Sequence, residues 1–372
     1  MEANEGDSKI MNTLNQIANF LRRFRLTTIV LLVVLALVVV QALQIFFGAN
    51  DFDGVDKKTF YVSKGDTFTS IVDSLDAKGI IRSRALFVFA AKVCGGTERI
   101  HVGKYVFDSG ISNVKLFLAL REGEGSQLIS VRLPEGYRAR TQARILARAI
   151  GIDSARYVDL VYDKSFTNSL GIDAPSLEGY LLPETYSFYW QQNEQYVIRR
   201  LVDQFLLFYD DSLRERAKDF GWTTNQVVTL ASIVEGEVVL DEERETISGV
   251  YHNRLGKKMR LEADPTIQFI MEGGPRRVLY SDLKIDHPYN TYRNRGLPPG
   301  PVNNPGKASI LAALYPAEHK YLFFVANGAG GHWFSTSYAG HLWNVRKYRK
   351  NRTQRSLQAS TQAQSLKDTK AD

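Results

Sequence analysis

Two glutamates, Glu235 and Glu237, interrupt the apolar run TLASIVEGEV at residues 229–238. A carboxylate in such a setting is a candidate proton donor or acceptor. Set on a helix at about 100° per residue, Val227, Leu230, Ala231, Ile233, Val234 and Val238 define a broad apolar arc. Thr229, Ser232 and Gly236 form the opposite, polar side. Glu235 falls between Ala231 and Val228, Glu237 between Ile233 and Leu230, about 160° apart around the axis. Neither lies on the wet face, so each needs a partner or a raised pKa, because an isolated buried charge is costly. Their separation also means that at most one is expected to do chemistry. The plainer alternative is two structural glutamates, each paired with an arginine.

Other residues with chemical potential lie downstream and upstream. Asp264 stands in a D-P-T turn, where it can orient a ligand or hold a loop. Tyr289, Asn290 and Tyr292 offer a stacking face, an amide and a phenol, the groups that contact sugars. His332 in GGHWFS is read as a hydrogen-bonding wall residue, with a second acid/base as the alternative. Glu178 and Glu184 are expected to anchor the domain through hydrogen bonds, and Pro298-Pro299-Gly300 to stiffen a loop. GAGG is not a phosphate loop, since no Gly-Lys-Ser/Thr follows it. Cys94 is the only cysteine, which excludes an internal disulfide and a cysteine zinc site. The six histidines show no H-E-x-x-H spacing, so neither metal nor cofactor is expected. A formal charge of +7 with scattered basic residues fits work near an anionic surface, and no nucleic-acid motif accompanies it.

The elements that must position these groups begin with an anchor. Residues 27–47 carry no charge over about the length of a membrane-spanning helix. Lys9, Arg22, Arg23 and Arg25 precede it, which keeps residues 1–26 cytoplasmic and places the remainder outside. The core is too long and the leader too extended for a cleaved signal peptide. A linker is expected at 48–58. Next, FYVSKGDTFTSIVDSLDAKGII reads as strand, turn and helix, with Thr67 as cap and Ile71, Val72 and Leu75 as the apolar stripe. VRLPEGYRARTQARILARAIGI has the same shape, with Ile145, Leu146 and Ala149 on one face, a weak internal repeat. From residue 136 a larger α+β domain runs to about 350. YLFFVAN is its late strand, HLWNVRKYRKNR its closing helix, and residues 351–372 are expected to be disordered.

The first strand–turn–helix resembles a LysM module, a fold associated with N-acetylated glycans, so residues 59–135 are expected to be a LysM-like region, with a spacer domain that holds the rest off the membrane as the alternative. More of the chain is covered by six ordered blocks. These are LEGYLLPETYSF (177–188), LASIVEGE (230–237), NRL…M-R-L-x-x-D-P-T (253–266), YNTY (289–292), GLPPGPVNNPG (296–306) and GGHWFS (330–335). Together they resemble the MltG (YceG-like) family of endolytic murein transglycosylases from the anchor to about residue 350. The resemblance implies a membrane-anchored enzyme of bacterial inner membrane with its catalytic domain outside. Its implied reaction cuts nascent peptidoglycan strands after N-acetylmuramic acid, leaving 1,6-anhydro ends and terminating elongation. Its implied partners are glycan strands, peptidoglycan synthases (penicillin-binding proteins) and the membrane. It also implies that Glu235, the first glutamate of the V-E-x-E block, is the catalytic acid, raised by its apolar flank, and that Glu237 supports the structure. Tyr289, Asn290, Tyr292, Asp264 and His332 are then expected at the substrate. A hydrolytic muramidase, or an inactive tethered glycan-binding protein, is the alternative reading.

Overall fold

The computed structural model describes residues 3–96, 100–271 and 276–368. The chain mixes helices with four two-stranded antiparallel sheets among the described residues. It divides into two units, Met1–Leu128 with Tyr189–Gln191, and Ile129–Phe188 with Gln192–Asp372.

In the first unit, α1 (Ala3–Phe47) contains the stretch Arg22–Gln44, whose 23 residues and mean hydropathy of 2.8 suffice to cross a membrane. Only Gly48 separates α1 from β1 (Ala49–Asn50), so the expected linker at 48–58 is absent at its start. Asn50 is 2% exposed, and its amide donates to the Ile111 carbonyl at 2.8 Å and to Asn113 Oδ1 at 3.0 Å. Asn50 Oδ1 accepts from the Arg82 amide, and Phe52 lies 1% exposed in the unit's core. A buried amide must be satisfied this way, which pins the chain as soon as it leaves α1.

β2 (Lys57–Val62), α2 (Phe68–Ala77), α3 (Arg84–Val93) and β3 (Gly103–Asp108) follow, and β3 returns antiparallel to β2 from Lys57↔Asp108 to Val62↔Gly103. The turn before α2 needs Gly65 at φ +87, and Thr67 caps α2 in a capping box with Ser70. Ile71, Val72 and Leu75 are the buried stripe of α2. β4 (Ile111–Ser112) pairs with β1, and α4 (Asn113–Glu122) completes the unit.

The second unit opens with the same device. β5 (Ile129–Arg132) leads through Gly136 at φ +73 into α5 (Ala139–Ile150). α6 (Ser154–Tyr162) and α7 (Lys164–Ser169) follow, and β6 (Thr185–Phe188) returns antiparallel to β5. Because β5 pairs within this unit, the division falls at Leu128 rather than at 135. The buried face of α5 is Ala139, Gln142, Ala143, Leu146 and Ile150, so Ile145 and Ala149 lie at its margin.

α8 (Glu194–Phe208) and α9 (Asp211–Asp219) then lead to α10 (Thr224–Glu237), which starts at a Thr223–Gln226 capping box. Every residue of α10 from Val227 to Val234 is buried, so the expected polar side is dry. Thr229 and Ser232 are accommodated by donating their hydroxyls back to the Asn225 and Thr229 carbonyls at 2.6 and 2.8 Å. Around α10 pack α11 (Arg244–Gly256), α12 (Asp264–Ile270) and α13 (Lys307–Leu314). The hairpin β7 (Phe323–Ala326) and β8 (His332–Ser335) follows, then α14 (Tyr338–Asp368). α14 continues to Asp368 where disorder was expected from 351. The segment holds neither glycine nor proline, and its Gln, Ala, Leu, Lys and Arg are good helix formers. Residues 369–372 lie outside the described residues.

Candidate active site

Helix α10 delivers two carboxylates in its last turn, and its surroundings treat them differently. Glu235 Oε2 accepts from Ser309 Oγ at 2.7 Å, from the Gly306 amide at 3.1 Å and from Arg244 at 3.1 Å. The Glu235 and Arg244 side chains are 9% and 8% exposed, and Arg244 also reaches Asp241 at 2.6 Å and Ser309 Oγ. This is a buried ion pair in which Oε2 takes all three contacts, the arrangement that lets a charge survive in the interior. Beside it, the carboxyl of Glu135 is raised by burial and by the charge of Glu235.

Glu237 instead lines a cavity of about 420 Å³ with Tyr251, Arg254, Asp264, Tyr292, Phe324 and His332 among its walls. That volume lies within the range of sites that hold small ligands. Tyr251 Oη donates to Glu237 Oε1 at 3.3 Å. The carboxyl of Glu237 is pushed up to about 7, chiefly by burial and next by the neighbouring Asp264 carboxylate. The Tyr251 hydroxyl, the Asp264 backbone amide and Arg254 oppose the shift without cancelling it. Glu237 is thus a carboxyl that exchanges its proton near neutrality and faces open space.

Gly236, between the two glutamates, explains how α12 reaches this wall. A Cβ at that position would stand 2.6 Å from Pro265 Cγ and 2.7 Å from Pro265 Cβ. Glycine therefore permits the start of α12, and with it Asp264, to close against the last turn of α10. Tyr292 Oη donates to Asp264 Oδ1 at 2.7 Å, which fixes one carboxylate oxygen. Two residues before Asp264, Glu262 adopts φ +51, a left-handed conformation unusual for its type. Arg254 holds that loop by donating to the Leu261 carbonyl at 2.7 Å and to Glu262 Oε2 at 3.2 Å.

His332 also reaches the cavity. Its Nδ1 lies 2.6 Å from Glu243 Oε2, and its backbone amide donates to Glu243 Oε1 at 2.7 Å. Glu243 thereby sets the ring's orientation. His341, on α14, lines the same space, and burial pulls its imidazole down.

Of the expected contact residues, Asp264, Tyr292 and His332 come together here, and Tyr289 and Asn290 do not. Asn290 is 0% exposed, and its amide donates to the Leu283 and Ile285 carbonyls at 3.0 and 2.7 Å. Its Oδ1 accepts from the Tyr292 amide at 2.9 Å, so its polar atoms are consumed in shaping the loop that carries Tyr292. Tyr289 stacks on Phe269 with ring centroids 4.7 Å apart, and burial raises its hydroxyl. Glu178 is buried and accepts from Ala139, Asn304 and Tyr162, while Glu184 pairs with Lys307 at 2.6 Å. Sequence reasoning passed over Tyr251, Arg254 and Glu243 as site residues. Arg254 stands in the NRL block and Tyr251 two residues before it, but only tertiary packing reveals which face they turn to Glu237.

The comparisons with known proteins agree on the character of the chain. The sequence profile of the YceG-like family matches residues 60–347. A protein of Bacillus subtilis named endolytic murein transglycosylase is 29% identical over 302 residues, covering 77% of this chain and 83% of that protein. One of the same name from Streptococcus pneumoniae is 27% identical over 324 residues, covering 78% of this chain and 58% of that protein. A crystal structure of a yceG-like protein from Listeria monocytogenes superposes with a TM-score of 0.56 at 29% identity, over 77% of this chain and 98% of that one.

Two outcomes are expected from the contrast between the glutamates. Arg244→Ala leaves the buried Glu235 carboxyl without its guanidinium partner, and should lower unfolding free energy in urea by about 3–5 kcal/mol. Replacing both, Glu235→Leu with Arg244→Met, should recover most of that loss. The second outcome concerns pH. The fold holds the Glu237 proton more tightly than the unfolded chain, so its stabilising contribution is full below about 4.5 and is lost as pH rises through about 7. Melting temperatures of wild type and Glu237→Gln should therefore converge toward low pH, with a flatter decline in the variant between those values.

Proposed function

The chain belongs to the YceG-like family, and from that premise we propose that it is a lytic transglycosylase acting on peptidoglycan with Glu237 as its acid and base. The observation that carries this assignment is the carboxyl of Glu237, pushed up to about 7 in a cavity wall beside Tyr251 and Asp264. The name shared by the relatives in B. subtilis and S. pneumoniae supports the reaction class. The substrate is the β-1,4 bond between N-acetylmuramic acid and N-acetylglucosamine in a nascent strand.

In this reading Glu237 gives its proton to the glycosidic oxygen as the bond from the muramyl C1 breaks. Positive charge develops at C1, and the carboxylate of Asp264, oriented by Tyr292, offsets it. The muramyl 6-hydroxyl then attacks C1 while its proton passes to Glu237. The products are a free 4-hydroxyl on one fragment and a 1,6-anhydro ring on the other, with no water consumed. One titrating carboxyl suffices because the second nucleophile is part of the substrate. A carboxyl poised near neutrality serves both directions of proton transfer. On this reading Glu235, the catalytic candidate of the sequence, holds the end of α10 against Arg244 and α13. What supports the exchange is the place of Glu237 in the cavity wall with its proton held to about 7, against three donors gathered on Oε2 of Glu235.

A second reading, hydrolysis, has one observation in its favour. Asp264 shares the cavity with Glu237 and could serve as the second carboxylate that activates water.

The proposal extends to cellular placement. Arg22, Arg23 and Arg25 at the start of the apolar stretch favour a cytoplasmic N-terminus, with both units outside the inner membrane. The β2–α2–α3–β3 order, with its outer strands paired, supports the LysM-like reading and a role in holding glycan. A tethered enzyme of this kind would work beside peptidoglycan synthases and end strand growth.

The test is mass spectrometry of digested glycan strands. Wild type should leave 1,6-anhydro ends, and Glu237→Gln should fold yet lose activity by about 10²–10⁴-fold. Glu235→Gln should lower the melting temperature and keep turnover within about tenfold of wild type, since a group acting through packing moves stability first. Reducing ends would assign hydrolysis. Loss of turnover at Glu235 with normal turnover at Glu237 would reverse the two roles.

A further inference from the structure

We infer that α3 lies on the outer surface of the bilayer, with Leu86, Phe89 and Val93 entering the headgroup–acyl boundary. This rests on the reading of Arg22–Gln44 as a membrane span and adds to it a second, interfacial contact. The first observation is the absence of slack. α1 ends at Phe47, and after the single residue Gly48 the chain is already paired in β1. Asn50 and Phe52, two and four residues on, are buried in the first unit. One residue spans at most about 3.6 Å, so the unit cannot stand away from the surface where the helix emerges. The second observation is the character of the face beside that exit. Phe46, in the last turn of α1, lies 6.0 Å from Phe89 of α3 between ring centroids.

On α3 the buried face is Phe87, Ala90 and Ala91. Away from that face the helix exposes Leu86 at 39%, Phe89 at 50% and Val93 at 60%, and Phe47, next to Phe46 at the end of α1, is 66% exposed. Residues at i, i+3 and i+7 form one stripe on a helix. Lys92 lies to one side of the stripe and is exposed, placing a cation where lipid phosphates lie. An apolar stripe continuous with a membrane-crossing helix, and held to it by one residue, has the lipid surface as its occupant. The consequence for the reaction is that the first unit is fixed in height above the membrane, at the level where strands emerge.

The experiment uses the full chain in liposomes of phosphatidylglycerol and phosphatidylethanolamine, with Cys94→Ser to remove the native thiol. Nitroxides are placed singly at Val34→Cys, Leu86→Cys, Phe89→Cys and Val93→Cys, and their collision rates with oxygen and with a polar nickel chelate are compared. Immersion is expected at 34 near the bilayer centre, and shallower immersion at 86, 89 and 93. A label immersed at 34 with all three α3 labels in water would overturn the inference and leave the anchor intact. A label at 34 in water would overturn the anchor itself and this inference with it. Dipolar coupling between α3 labels on separate chains, with the labels shielded from both reagents, would assign the stripe to a second copy and overturn the lipid reading.

Discussion

The structure of the second unit depends on the burial of α10. Its residues from Val227 to Val234 are covered on every side, so whatever polar groups it carries must be satisfied locally or at its ends. Thr229 and Ser232 return their hydroxyls to the helix backbone. The glutamates come in the last turn, where the negative end of the helix dipole already disfavours a carboxylate. Each therefore needs a separate solution. Glu235 receives a guanidinium, a hydroxyl and an amide from α11 and the start of α13. Glu237 receives a tyrosine hydroxyl and the first amide of α12, and holds its proton to about 7. A single helix thus presents one carboxyl held by three donors and one exchangeable proton, and Gly236 between them gives α12 the room to approach.

Much of this was legible in the sequence. The 100° step required a partner or a raised pKa for each carboxylate; Glu235 has Arg244, and Glu237 holds its proton to about 7, whereas the polar side drawn by the same wheel is buried. The strand–turn–helix units were readable because Gly65 and Gly136 mark positive-φ turns and Thr67 marks a cap. Which carboxylate faces the cavity was not readable. That depends on where α12 and the β7–β8 hairpin pack, and no helical wheel contains that direction. Asn290 illustrates the same limit. Its residue type suits sugar contact, but the closed loop 283–292 uses all of its hydrogen-bonding atoms internally. In residues 351–368 the Ser- and Gln-rich composition points to disorder while the absence of helix breakers permits the continuation of α14.

The start of the chain shows a different lesson. Gly and Asp around residues 48–56 read as a flexible linker, but a polar composition does not distinguish a tether from a strand edge. Asn50 settles its own segment by burying an amide with three partners. Composition locates a boundary, whereas hydrogen-bond satisfaction determines whether the boundary is loose.

The account stands on the protonation of one carboxyl, and infrared difference spectroscopy measures it directly. With ¹³C-labelled glutamate, wild type minus Glu237→Gln isolates the Glu237 carbonyl band. A protonated carbonyl band that disappears with a midpoint near pH 7 is the result expected for the proposed acid and base. A Glu237 signal already ionised at pH 6, titrating near the ordinary 4.5, would contradict it.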